Sequence, residues 1–346
     1  MKNALFHKDN LDELKHLFRQ EKKPFALFIG AGINCSFPNM DWNSLLNFLL
    51  HKAVSILAVS EDFDHEEKQS IYDFLMDIER KGTPTFKSNF NVYFKASIIK
   101  KVLGNQYISF IQDHLYSNCN HSILKKAIQD YFGRENNNLL LETAKLILNY
   151  DNIGAVVTYN YDNFMGTTLN LLQKKENNIK DNDLKRHILP VDIYQTIQKF
   201  AQDEYTFPIF HVHGFIPPPD QLQVAPAENV VLAYDEYFNN IMEPFSWQTT
   251  TQLHFLNNYN IIFLGASLED WNMLRALSAS QKYSCAVKRY ALFTNSYFNM
   301  GSRQSNFINR LKATVYNDVG IKPIYTKTNN YNEIPELLNR LNYGNN

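Results

Sequence analysis

The sequence predicts an α/β fold: a Rossmann-like, mostly parallel sheet with helices on both faces, plus an inserted helical module. Three observations carry this prediction. Short continuous apolar runs of strand length recur in the second half of the chain, the mark of strands buried on both faces. Helical periodicities separate most of them, and such alternation builds parallel sheets. A strand–glycine–helix grammar occurs twice, at FALFIGAGI and at NIIFLGAS.

Taken in order, residues 9–20 predict an amphipathic helix with Leu11, Leu14, Leu17 and Phe18 on one face. Pro24 breaks it. FALFI reads as a buried strand, Gly30 and Gly32 permit a tight turn, and WNSLLNFLL from Trp42 has the spacing of a buried helix. Residues 51–150 read as helical throughout, at EDFDHEEKQSIYDFLMDIER, SIIKKVLGNQYISFIQDHLY and LLLETAKLILNY. They predict a helical module inserted into a sheet domain made of 1–50 and 151–346. Strand signals resume at GAVVTYN, PIFHVHGF (208–215), NVVLA (229–233), NIIFLGAS (260–267), RYALFT (289–294) and KPIYT (322–326). KKENNIKDNDLKRH (174–187) reads as a polar connector and NEIPELLNRLNYG as a closing helix.

Composition excludes several classes. The 346 residues are 45% hydrophobic and 20% charged, so a packed core is expected rather than disorder. A formal net charge of −1 argues against a nonspecific nucleic-acid binder, and no direct nucleic-acid contact is expected. Cys35, Cys119 and Cys285 form no CxxC pair, and three cysteines cannot build a four-cysteine zinc site. No disulfide framework is expected, which predicts a reducing, cytoplasmic setting. The opening MKNALFHKDNLDELKHLF lacks the apolar core of a signal peptide. No apolar run reads as a membrane helix, so no membrane partner is expected.

Four motifs fall at predicted strand ends, where open α/β sheets bind ligands. GAGIN (30–34) is a glycine turn that lets backbone N–H groups approach a pyrophosphate, or an ordinary strand-to-helix turn. In TYNYD, Asn160 and Asp162 face a ligand or cap the next helix. In HVHGF, His211 and His213 would share one face at period two. A metal needs a third ligand, and none follows at sensible spacing, so no metal is expected. His213 reads as a general base or as a hydrogen-bonded core histidine. In FLGASLEDWNML, Ser267 caps a helix or contacts a ribose, and Asp270 suits a first helical turn.

These four motifs, in this order and at this spread, resemble the sirtuin superfamily over about 1–50 and 151–330. The chain is similar to the zinc-less, sirtuin-like NAD hydrolases of prokaryotic anti-phage defence, a branch to which Asn160-Tyr161-Asp162 and VVLAYDEYF (230–238) point. The resemblance places Gly30, Ala31, Gly32 and Ile33 on the pyrophosphate loop, with Asn34 where Ser is usual. It places Asp41 near the nicotinamide, Trp42 on an aromatic position and Asn43 on an arginine position. Asn160 falls at the nicotinamide ribose, Asp162 on the carboxamide, His213 on the catalytic histidine, and Gly265 and Ser267 on the loop at the adenosine side. It implies NAD as substrate and cleavage to nicotinamide and ADP-ribose. It also implies a homo-oligomer and a separate activating partner, an ATPase or helicase or an Argonaute-like protein. The alternatives it leaves are a non-hydrolytic nucleotide sensor, an ADP-ribosyltransferase and a protein deacylase. Pro38 at a usual glycine and Asn43 at a usual arginine weigh against the last.

Overall fold

The computed structural model describes residues 3–20, 23–61, 63–79, 92–132, 138–177, 187–191, 206–220, 230–282, 287–295 and 302–343. Seven strands are described: β1 (Phe25–Ile29), β2 (Ile153–Thr158), β3 (His187–Val191), β4 (Thr206–His211), β5 (Asn260–Leu264), β6 (Arg289–Phe293) and β7 (Ile321–Tyr325). They form one sheet in the order β3-β4-β2-β1-β5-β6-β7, and every pairing is parallel. The helices are α1 (Asn3–Gln20), α2 (Trp42–Val59), α3 (His65–Glu79), α4 (Val92–Leu103), α5 (Tyr107–Asn118), α6 (His121–Phe132), α7 (Leu139–Asn149), α8 (Phe164–Asn177), α9 (Tyr234–Met242), α10 (Trp247–Asn258), α11 (Trp271–Gln281), α12 (Ser302–Asp318) and α13 (Glu333–Tyr343).

FALFI shows why the sheet has two cores. Successive side chains of a strand point to opposite faces. Phe25, Leu27 and Ile29 join a cluster with residues of α1, α2, α7, α8 and α13. Ala26 and Phe28 join another with Phe255 and Leu256 of α10 and Met273 and Leu277 of α11. A strand buried on both faces has no polar alternation, so its sequence is a continuous apolar run. Strand order reverses around β1: β2, β4 and β3 lie on one side, and the chain then resumes as β5, β6 and β7 on the other. The carboxyl end of β1 is therefore a topological switch point, where the loops on either side diverge and leave a crevice.

The structure corrects three expectations. NVVLA is not a strand: residues 230–233 are irregular, and Asn229 lies outside the described residues. Its backbone donors are taken elsewhere, Val231 N–H by the His213 carbonyl at 2.9 Å and Leu232 and Ala233 N–H by the Glu236 carboxylate at 2.7 Å each. The stretch is apolar because it is buried, not because it pairs. Conversely, β3 begins at His187, where the sequence predicts the end of a polar connector; residues 178–186 of that connector lie outside the described ones. Among the described residues the strand pairs only with β4, and Pro190 is tolerated on such an edge. Finally, α2 is long and apolar enough to cross a membrane by length and composition, at 18 residues and mean hydropathy 1.2. Its Leu45, Leu49, Leu50, Ala53 and Leu57 are buried in the protein core.

The helical stretch is tied to the segment after β4. Tyr116 Oη donates to the Ile216 carbonyl at 2.6 Å, and Gln112 Nε2 donates to the Pro217 carbonyl at 2.7 Å. Lys100 of α4 pairs with Glu236 at 2.5 Å and Asp235 at 3.2 Å of α9. α7 packs instead on α8 and α13 beside the sheet.

Candidate functional site

One cleft of about 580 Å³ opens at the switch point. Residues after β1 (Gly30, Ala31, Gly32, Asn34), β2 (Asn160, Asp162), β4 (His213) and β5 (Gly265, Ser267) line it. Asp41 and Trp42, at the start of α2, line its rim. Of the site residues expected from the sequence, only Ile33 is not on this wall; it is buried in the core behind it.

The glycine loop is built by close approach. A Cβ on Gly30 would lie 2.8 Å from the Gly265 carbonyl oxygen, and one on Gly265 would lie 2.3 Å from Ile33 N. Gly265 also has φ +62, a left-handed conformation that costs other residues free energy. Two loops thus interlock, and the interlock uses up donors. Gly30 N–H donates to the Leu264 carbonyl at 3.1 Å, Gly32 N–H to Gly265 at 2.9 Å and Ile33 N–H to Gly30 at 3.0 Å. GAGIN is therefore not the cradle of free N–H groups that its glycines predict; Ala31 is its exposed residue beside Gly30, Gly32 and Asn34 on the cleft wall. In the partner loop, Leu268 is buried with φ 58, a conformation uncommon for a bulky side chain.

Asn160 and Asp162 are both buried. Asn160 Nδ2 donates to the Gly30 carbonyl at 3.3 Å, and its own carbonyl meets His211 Nδ1 at 3.0 Å. A carbonyl only accepts, so His211 carries its proton on Nδ1. Asp162 accepts from Phe164 N–H at 3.0 Å at the start of α8, and from Asn34 Nδ2 at 3.0 Å. One oxygen holds the backbone at the start of α8 and the other holds Asn34, both on the cleft wall. Burial raises its carboxyl to about 6 despite those two donors.

His211 and His213 do not share a face. β4 ends at His211, which lines a small cavity behind Asn160 and Asp162. His213 lies beyond the strand and lines the main cleft, with Gly214 at φ 93 turning the chain. Burial drives His211 down to about 4, the Asn160 carbonyl opposing it. Burial also lowers His213, with Asp270 opposing. Both rings are neutral near pH 7. His213 Nε2 has no hydrogen-bond partner among the described residues and stands 3.6 Å from Asp270 Oδ2.

Asp270 exceeds its expected role. It caps α11 by accepting from Met273 N–H at 2.8 Å, and its other oxygen accepts from Tyr237 Oη at 2.7 Å. Tyr237 packs against the His213 ring, with centroids 5.4 Å apart, and against Tyr93 at 4.1 Å. Sequence reasoning missed Tyr93, His114 and Tyr237 as wall residues. They sit on α4, α5 and α9 inside ordinary amphipathic patterns, and nothing local distinguishes them.

Asp41 is the N-cap of α2. It accepts from Ser44 Oγ at 2.6 Å and from the N–H groups of Asn43 and Ser44. Partial burial would raise it, but these donors hold it below the usual range. Ser267 is exposed on the wall, and Asp270, not Ser267, caps the helix. Among the described residues no group of three or more His, Cys, Asp or Glu is placed to hold a metal ion. Cys285 lies outside the described residues.

A comparison with curated proteins finds no match. Residues 154–323 match the family model of a SIR2-like domain, from β2 into β7, and so include Asn160, Asp162, His213, Gly265 and Ser267. The parallel sheet with its cleft at the switch point agrees with a SIR2-like domain over residues 154–323, and that domain points to an NAD-related activity.

Proposed function

We propose that the cleft hydrolyses NAD between nicotinamide and ribose, releasing nicotinamide and ADP-ribose. The observation that carries this reading is the convergence of Asn160, Asp162 and His213 on one cleft beside the glycine loop. The cleft volume of about 580 Å³ suits a ligand of this size.

The residues divide the work. Asp162, poised near 6 and fixed by Asn34 and Phe164, binds the carboxamide, accepting from its NH2. Asn160 uses one N–H on Gly30, and its amide oxygen and second N–H are left to orient the ribose or the attacking water. His213, neutral and unpartnered at Nε2, takes the proton of that water. Oxygen bonds to the ribose C1′ as the bond to nitrogen breaks, and the released electron pair neutralises the pyridinium. Positive charge builds on the sugar on the way. The wall favours it: Asp41, Asp162, Glu269 and Asp270 line the cleft, and no Lys or Arg does among the described residues.

Depletion of NAD suits an effector of anti-phage defence, kept silent by oligomerisation or by a separate partner protein. The supporting assay is the NAD content of infected cells producing the chain or its Asn160→Ala variant. Loss of NAD with the intact chain alone supports this role, and equal NAD in both removes it.

A further inference from the structure

Tyr331 stands on the turn between β7 and α13, outside residues 154–323 and outside every motif read from the sequence. Its ring packs on the core and lines the cleft. Its hydroxyl is sealed from solvent and has no hydrogen-bond partner among the described residues. A buried hydroxyl left this way is destabilising, and an acceptor on a bound ligand would offset that.

The hydroxyl has a definite place. A Cβ on Gly32 would come within 2.5 Å of Tyr331 Oη. The glycine is what lets the phenol lie against the loop. That loop has committed the N–H groups of Gly30, Gly32 and Ile33 to its own carbonyls and those of residues 264 and 265. The described lining contains no Lys or Arg. An anion held at this loop is therefore held by neutral donors. Burial pushes the Tyr331 phenol up, so it stays protonated and donates at neutral pH.

We propose that Tyr331 is a ligand-binding residue whose hydroxyl donates to a phosphate oxygen of the nucleotide lying against the Gly30–Asn34 loop. The proposal rests on the nucleotide reading above. The test is calorimetric binding of ADP-ribose and of adenosine to the full chain and to its Tyr331→Phe variant. The variant is expected to bind ADP-ribose about tenfold more weakly, the loss of one hydrogen bond. It is expected to bind adenosine as the wild type does. Its melting temperature should be unchanged or higher, because only an unpaired hydroxyl is removed. Equal affinity of both proteins for ADP-ribose overturns the assignment and leaves the nucleotide reading standing. An equal loss for both ligands overturns the phosphate contact and makes Tyr331 structural. A wild-type chain that does not bind ADP-ribose overturns the nucleotide reading, and the proposal with it.

Discussion

Asp162→Asn separates what the site needs from what the fold prefers. The carboxyl ionises near 6 in the folded chain, against 3.8 unperturbed, because burial outweighs the Phe164 and Asn34 donors. A raised acid stabilises the fold below its unfolded pKa and loses that stability as pH rises through its folded pKa. Ionised at pH 7, Asp162 then costs the folded state about 3 kcal/mol. The substituted amide keeps one oxygen for Phe164 N–H. Its NH2 can meet the Asn34 oxygen, which is buried without a partner among the described residues. One hydrogen bond loses its charge, worth about 1 kcal/mol. The variant should therefore be more stable than wild type by about 2 kcal/mol at pH 7. The advantage should shrink between pH 6 and 4 and vanish below. Urea unfolding at pH 4, 5, 6 and 7 reads this directly. A variant less stable at pH 7, or an advantage that does not change with pH, refutes the reasoning. NAD cleavage by the variant should fall at every pH, since the carboxamide loses its acceptor.

Three further outcomes rest on the same geometry. In the Asp162→Asn chain, acidification from pH 7 to 5 should cost about 2 kcal/mol in urea unfolding. His211 ionises near 4 when folded and near 6.5 when not, so its stability is lost as pH falls; in wild type Asp162 masks this in the same window. Gly265→Ala should destabilise by more than about 2 kcal/mol in urea unfolding, because the new Cβ meets Ile33 N in a left-handed backbone. Tyr237→Phe removes a donor from Asp270, leaving more negative charge beside His213. The acidic limb of the rate profile should move to higher pH, with the melting temperature little changed; an unmoved limb would separate Asp270 from His213.

Most of the sheet was legible because parallel strands covered on both faces leave unbroken apolar runs, as at FALFI, NIIFL and RYALF. The failures share a cause. NVVLA and a strand bury the same residue types, and only the destination of their N–H groups, His213 and Glu236, tells them apart. β3 reads HILPV, a short apolar run interrupted by Pro190 and continuous with a charged stretch, and this hid the edge strand. That residues at strand ends would line one cleft was legible, since glycines, Asn160, Asp162 and His213 end apolar runs there. Residues that reach the cleft from helices and turns, Tyr93, Tyr237 and Tyr331, were not. Their roles depend on the tertiary placing of α4, α9 and the turn before α13.

The most direct measurement is the product ratio and rate from NAD for the wild type, Asn160→Ala and His213→Ala. The account predicts nicotinamide and ADP-ribose in equal amounts from the wild type. It predicts rates at least about a hundredfold lower from both variants, the usual contribution of such groups, with melting temperatures close to wild type. Wild-type turnover in either variant, or NAD bound by the wild type and left uncleaved, would contradict it.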